Sequence, residues 1–394
     1  MSSSNLVEVK IIKESVLGET PLAGDFETVR FTSESLSGTP ETTESQNIRT
    51  DRMSSGQVVT GLTVGGDINF ELAKDGVIDS FLESSMLNTF QPSAPVSVDL
   101  TVDATAKTVT RASGDYAVDV KVGDLVTLIG MDDAANNTQL MVAEIVSATV
   151  IRYVGKDTMV DGTGTGTSFK VADKLEIGKD KQSFSMEKQF LDLVEKFILY
   201  RGMNVGNMSL NVAYGEIING TFNFSGNDYE AVSGVANSMT NGRTVNAAAT
   251  TNSMNGSIDM PFIANSEAGS FDSSTFCIQN VELSLNNNLT PQNCIGEAAP
   301  KDYSPGTAQI EVSLGSYLAD ENWGLLAKKL SQAPFSIGFM VQNGDGHYGF
   351  FIPALQVSFD DPQSQGQNQD VVMNMSGVAK VGSLGESALT IFRS

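Results

Sequence analysis

The chain has 394 residues, 24 basic and 47 acidic, for a formal net charge of −23. With 40% hydrophobic and 18% charged residues, the composition is globular and the length suggests two or three domains, which excludes a disordered or low-complexity chain. So acidic a surface repels phosphates, which excludes a protein that grips nucleic acid by neutralising its backbone.

Two cysteines, Cys277 and Cys294, exclude a disulfide scaffold and match no zinc spacing, and they are expected to be buried free thiols. No stretch reaches the roughly 20 apolar residues of a membrane span. The N-terminal run lacks the apolar segment of a signal peptide, so synthesis and folding in a cytoplasm are expected.

In chain order, residues 1 to about 25 read as an arm with a short strand at Val7 to Ile12. Ser33 to Gly56 is polar and contains Asn47-Ile48-Arg49-Thr50-Asp51-Arg52. A connection that long and that poor in apolar residues tends to be functional or disordered. Ile68, Phe70 and Leu72 then alternate with Asp67, Asn69 and Glu71, the pattern of a strand with one buried face. After Ala73-Lys74-Asp75-Gly76, the spacing of Val77, Ile78, Phe81 and Leu82 predicts a short amphipathic helix.

Prolines within Gln91 to Val96 open a different composition. From Ser97 to about Lys179 short β-segments follow one another, at 98–102, 117–120, 125–129, 140–150, 151–154 and 169–171. Turns fall at Lys121 to Asp124 and Met131 to Asn137, and Asp161 to Thr167 reads as a flexible loop. Short strands at such spacing predict a small inserted β-barrel. Beyond Gln182, Phe190, Leu193, Val194 and Phe197 suit either a helical face or a hairpin. Met208, Leu210 and Val212 alternate, as do Phe222 and Phe224. Val232 to Ser270 is rich in Asn, Ser, Ala and Gly and reads as a linker or long loop.

The remainder repeats what came before. Ile310, Val312 and Leu314 alternate like Ile68, Phe70 and Leu72, and Trp323, Leu326 and Leu330 predict a second helix with Trp323 as its core anchor. Thr290-Pro291 answers Thr39-Pro40, Phe335-Ser336-Ile337 answers Phe184-Ser185-Met186, and Met373-Asn374-Met375-Ser376-Gly377 answers Phe222-Asn223-Phe224-Ser225-Gly226. Matches in one order indicate an internal duplication. The expected fold is mainly β: two tandem β-sandwich or barrel domains, each with a short helix, plus the inserted barrel. The expected boundaries are 1–92 with 182–232 for the first domain, 93–181 for the insertion, 233–270 for the linker and 271–394 for the second domain.

No catalytic, cofactor or metal site emerges. His347, the single histidine, sits in a Gly-rich hairpin tip and cannot build a triad with any nucleophile elbow nearby. Gly162 to Thr167 lacks the Lys-Ser/Thr and helix of a phosphate loop. Ser185 to Lys188 spells SxxK without its companion motifs. No carboxylates have EF-hand spacing. The expectation is a non-enzyme.

Glu41 to Arg52 with Val64 to Leu72 and Ile78 to Leu82, then Ser183 to Lys188 and Arg201 to Val205, then Leu283 to Gly296 and Gln367 to Ser376, together resemble tail tube proteins of long, non-contractile-tailed phages. Lys121 to Asp124 with Ala134 to Asn137 is similar to β-modules inserted in such proteins. The resemblance implies a structural protein of the virion tail, assembled in the host cytoplasm. It implies sheets joined around rings, rings stacked into a hollow tube, a tape measure protein and a tail terminator as partners, and DNA in transit on ejection. A tail terminator, a head–tail adaptor or a β-rich adhesin or carbohydrate-binding protein are the alternatives.

An acidic lumen fits sliding DNA. Closed rings cover sheet edges. The segment 33–56 suits contact between rings. The lumen wall is expected to include Asp67, Asn69 and Glu71 or Gln309, Glu311 and Ser313, although period 2 alone leaves the inward face undecided. The insertion is expected on the outside, dispensable for assembly. Two domains per chain predict a homotrimer with pseudo-six-fold symmetry, against six chains if both halves form one tube domain.

Overall fold

Alternating apolar residues build strands from the first residues onward. The structure, a computed structural model, describes residues 3–155, 158–256, 264–265, 272–273, 277–320, 323–324, 331–344, 346–358, 361–364, 366–383 and 385–394. The chain is mainly β. Its first strands are β1 (Val7–Lys13), β2 (Phe26–Thr28), β3 (Ser33–Glu34), β4 (Ser37–Glu44) and β5 (Gln57–Glu71). Of the expected N-terminal arm, the strand β1 and Glu14 lie in the core, while residues 15–25 stay half-buried or exposed. Val9 and Ile11 are buried, and the Glu14 carboxylate beyond them accepts from the Ser183 and Ser185 hydroxyls at 2.6 and 2.7 Å and the Gly202 N–H at 2.9 Å. A buried carboxylate bonded this fully holds the segment in place.

Helix α1 (Gly76–Met86) starts where Asp75 accepts the Val77 N–H at 2.9 Å, the preferred cap chemistry. It stops at Leu87 in the left-handed region, φ 51°, with the Asn88 N–H returning to Glu83 O at 3.1 Å. Val77, Ile78, Phe81 and Leu82 are buried beneath it, as their spacing predicts, and Met86 joins them.

The next strands are β6 (Val96–Ser97), β7 (Leu100–Asp103), β8 (Thr108–Arg111), β9 (Leu125–Ile129), β10 (Gln139–Ser147), β11 (Val150–Gly155), β12 (Gly162–Gly164) and β13 (Ser168–Val171). They form a sheet of their own, ordered β12-β7-β8-β11-β10-β9-β13-β6, around Leu100, Val109, Leu140, Ile151 and Phe169. Two local expectations differ. Residues 116–119 form a helical turn, α2 (Tyr116–Asp119), because Asp115 accepts the Ala117 N–H and starts one. The Gly-Thr tract pairs with β7 as β12. The following strand, β14 (Asp173–Glu176), leaves the barrel and pairs with the chain's last strand.

Then come β15 (Phe184–Phe190), β16 (Lys196–Ala213), β17 (Asn219–Gly226), β18 (Asp228–Ser233) and β19 (Val245–Asn246). Residues 190–197 resolve as a hairpin: β15 pairs with β16, and Val194 at its tip is 83% exposed. The linker stretch is packed as far as residue 256. Glu187 accepts from Ser238, Met239 and Thr240, and Met254 is buried, bonded to Leu72 and Ile218.

The last strands are β20 (Ala264–Asn265), β21 (Asp272–Ser273), β22 (Ile278–Asn286), β23 (Thr290–Gln292), β24 (Asp302–Ser304), β25 (Gln309–Tyr317), β26 (Phe335–Asn343), β27 (Gly346–Ser358), β28 (Val372–Lys380) and β29 (Thr390–Arg393). Trp323 is 62% exposed and so does not anchor a core, while Leu326 and Leu330 lie outside the described residues. Helical spacing alone does not say which stripe faces inward.

One run of ladders unites the chain. Strands β4-β5-β17-β16-β22-β25-β28-β27 pair in that order, each with the next. Behind the run lie α1 and two outer layers, β2-β1-β15-β16-β18 and β26-β27-β29-β14. The long strands β16 and β27 belong to both run and layer. Apolar side chains from α1 and from most strands of the run and layers share one core. Tyr348 of β27 donates to Asp79 of α1 at 2.7 Å, and Arg393 of β29 lies 3.0 Å from the same carboxylate.

Candidate functional site: a polar sheet face and a projecting arm

Period-2 alternation gives the eight-stranded run two unlike faces. Ile68, Phe222, Met208, Leu285 and Ile310 lie opposite one another across the ladders and are buried. Their neighbours form polar rows on the other face. One row runs Asp67, Asn223, Asn207, Asn286, Gln309. The next runs Asn69, Thr221, Ser209, Ser284, Glu311, the exposed Val378 and Gln356, and the third Glu71, Asn219, Asn211, Glu282, Ser313, Ser376, Ser358. All of these residues are half-buried or exposed.

Both sets of residues named as wall candidates, 67/69/71 and 309/311/313, therefore stand on one face and in the same rows. The rows carry four carboxylates, Asp67, Glu71, Glu282 and Glu311, and no Lys or Arg, while Lys380 stands exposed on the same face at the end of β28. Most of the face is amide and hydroxyl. Asn223 donates to Asp67 at 2.6 Å, Thr221 to Asn69 at 2.6 Å and Gln309 to Glu311 at 2.7 Å. Side chains bonded to each other across strands, or along one as in Gln309 and Glu311, are fixed in place and leave a hydrated, weakly acidic surface.

At one end of this face the β4–β5 ladder runs past the rest of the sheet. Thr42 to Glu44 pair with Gln57 to Val59, and both sides of this ribbon face solvent. The arm exposes Ile48 fully and leaves Met53, Val58 and Val59 more than half exposed. Within its tip Arg49 Nε donates to Asp51 at 3.0 Å. That guanidinium, with the Met53 N–H, holds the Asp51 carboxyl below its ordinary value. Where the arm meets the sheet, a cleft of about 760 Å³ lies between it and the loop from Leu289 to Tyr303. The Leu62 N–H donates to Ala298 O there, at 2.7 Å.

The other singled-out residues form no site. His347 lies at the β26–β27 hairpin end, its N–H 3.2 Å from Ser394 O. Both cysteines are free and exposed, not buried: Cys277 precedes β22, and Cys294 lines the cleft. Gly162–Gly164 is spent on β12, and Ser185 on Glu14. Among the described residues no group of His, Cys, Asp and Glu could hold a metal, and no helix is long and apolar enough to cross a membrane.

Residues 4–381 match the model of a family described as phage tail tube protein. No curated protein matches the chain.

Proposed function

The chain belongs to the phage tail tube proteins, and on that footing we propose that three copies close a ring whose inner wall is the polar face, and that such rings stack into a DNA-conducting tube. The coarse function follows from membership: it is a structural, self-assembling component of the virion tail. The finer reading is carried by one observation, a stagger between two copies of the same strand order.

The order β5-β17-β16-β15 recurs as β25-β28-β27-β26, which supports two domains per chain with the 96–171 barrel inserted in the first. Aligning Phe222 with Met373, as the repeated sequence requires, makes Ser316 the equivalent of Ile68, since these pair with Met373 and Phe222 respectively. Yet the row through Ile68 arrives at Ile310, six positions short of Ser316. Six residues at ~3.4 Å over four strands ~4.8 Å apart tilt the strands by roughly 45°, the value of a closing barrel rather than an open sheet.

Repeating that step supports a closed wall. Three chains of eight strands give about 50 Å between opposite backbones and roughly 40 Å between side chains, and six chains about twice as much. The smaller bore confines a duplex more closely. Wall rows that carry amides, hydroxyls and carboxylates lack the Lys and Arg that would neutralise phosphates and displace their counterions, so DNA passes without binding. A tape measure protein and a tail terminator are its partners on this reading, and assembly takes place in the host cytoplasm.

Electron microscopy of the purified protein tests this. Long tubes with three chains per ring are expected. Six full chains per ring overturn the trimer, and single rings that never stack favour a terminator or adaptor. The wall assignment has its own check. Asn223→Lys with Asn207→Lys adds two cations per chain to one row. Such tubes are expected to keep their bore and retain duplex DNA at low salt, with retention lost as salt rises, whereas wild-type tubes retain none. Unchanged behaviour would place this face elsewhere.

A further inference from the structure

The inserted barrel is tied to the first copy by the chain and to the second by packing. Leu125, Met141 and Val154 point away from the barrel's own core and meet Met340, Phe351 and Phe392 of β26, β27 and β29. All six are at most 5% exposed. The contact closes to backbone distance: a Cβ on Gly123, at φ +91°, would lie 2.2 Å from the Phe351 ring, and one on Gly338 2.7 Å from the Met141 sulfur. The barrel's exit strand extends the same joint. β14 pairs with β29 over residues 173–176 and 390–393, Lys174 binds the buried Asp124 at 2.7 Å, and Gln91 bonds Lys174 backbone to backbone on the other side.

We propose that the inserted barrel is an intramolecular brace that fixes the angle between the two tandem copies, and through it the curvature of the ring wall. The wall clause rests on the ring reading above; the brace itself does not. In the wall the copies meet at a single ladder, β16 with β22. Neighbouring strands tolerate relative twists from about 10° to 35°, and behind the ladder the copies share a core in which Tyr348 and Arg393 meet Asp79 of α1. A further attachment on the far side of that core narrows the remaining freedom. The barrel supplies it because its stems leave from the first copy while its outer face is pressed on the second. The insertion is thus not a dispensable decoration.

The test uses the full chain with Met141→Ala, a side chain in the joint and outside the barrel's core. Amide hydrogen exchange of the unassembled protein is expected to quicken at least tenfold in β26 and β29, with β7 and β8 inside the barrel unchanged. Tubes of this variant are expected to vary in bore more than wild type. Exchange in β26 and β29 at the wild-type rate overturns the brace. If exchange quickens but the wild-type protein forms no rings, the brace stands and the ring reading fails. Replacing residues 96–171 by a short Gly-Ser linker is the stronger variant. It is expected to give irregular or no tubes, and uniform tubes of wild-type bore would overturn the proposal. If that variant does not fold, the exchange measurement on Met141→Ala decides alone.

Discussion

Phe81→Ala is expected to lower folding stability by about 3–5 kcal/mol. Phe81 is 1% exposed and stands edge-on to three rings, with centroids 5.3 Å from Phe184, 5.4 Å from Phe222 and 5.0 Å from Phe224. Edge-to-face pairs add to the burial itself. These partners come from β15 and β17, so one side chain links α1 to both the wall strands and the layer behind them. The cavity left by alanine has rigid neighbours and cannot collapse. Phe81→Leu keeps most of the volume and is expected to cost clearly less. A fall in the denaturation midpoint at unchanged slope measures it. A loss under about 1 kcal/mol would mean that α1 is not a core element.

The helix behind that prediction was legible, because a helical apolar spacing follows an alternating strand, while its Asp75 cap and the three rings around Phe81 emerge only from the structure. The polar rows were half legible. Alternation names Asp67, Asn69 and Glu71, or Gln309, Glu311 and Ser313, as one face, but only the ladders put the two sets in line. The stagger was not legible. Sliding one strand past another by an even number of residues keeps every side chain on its face, so Ile68 matches Ile310 as well in pattern as it matches Ser316 in position. The strand at β1 was legible but its burial was not, because its partners, β15 and the Ser183, Ser185 and Gly202 groups bonded to Glu14, come from far along the chain. The joint between barrel and second copy had no signal at all. It is made of single methionines, phenylalanines and glycines, each unremarkable in its own stretch. The exposure of Trp323, Cys277 and Cys294 is the same lesson in reverse, since residue type alone sets a tendency to be buried and not a place in the fold.

Replacing Asn47 to Ser55 by a two-residue turn is expected to leave the monomer folded and to stop ring stacking. The arm bonds to little outside itself: Arg49 to Asp51, Ser54 to Glu44 and Thr42 to Gln57. No core residue lies in it, so the fold loses nothing by its removal. A two-stranded ribbon alone is marginal in water, and ordering its backbone costs about 1–2 kcal/mol per residue. Exposed Ile48, Met53, Val58 and Val59 at such a site call for a surface to cover them, and in a polymer of identical chains the available surface belongs to another copy. Burying Ile48 and Met53 would stabilise each contact by about 4 kcal/mol together. Ile48→Asp with Met53→Asp, which leaves the backbone in place, should therefore raise the concentration needed for polymerisation at least a hundredfold, a conservative share of that energy. Sedimentation across a concentration series reads this directly, with circular dichroism confirming the fold. Tubes of wild-type length from either variant at wild-type concentration would remove the arm from the stacking contact and leave the cleft at its base as the place to look next.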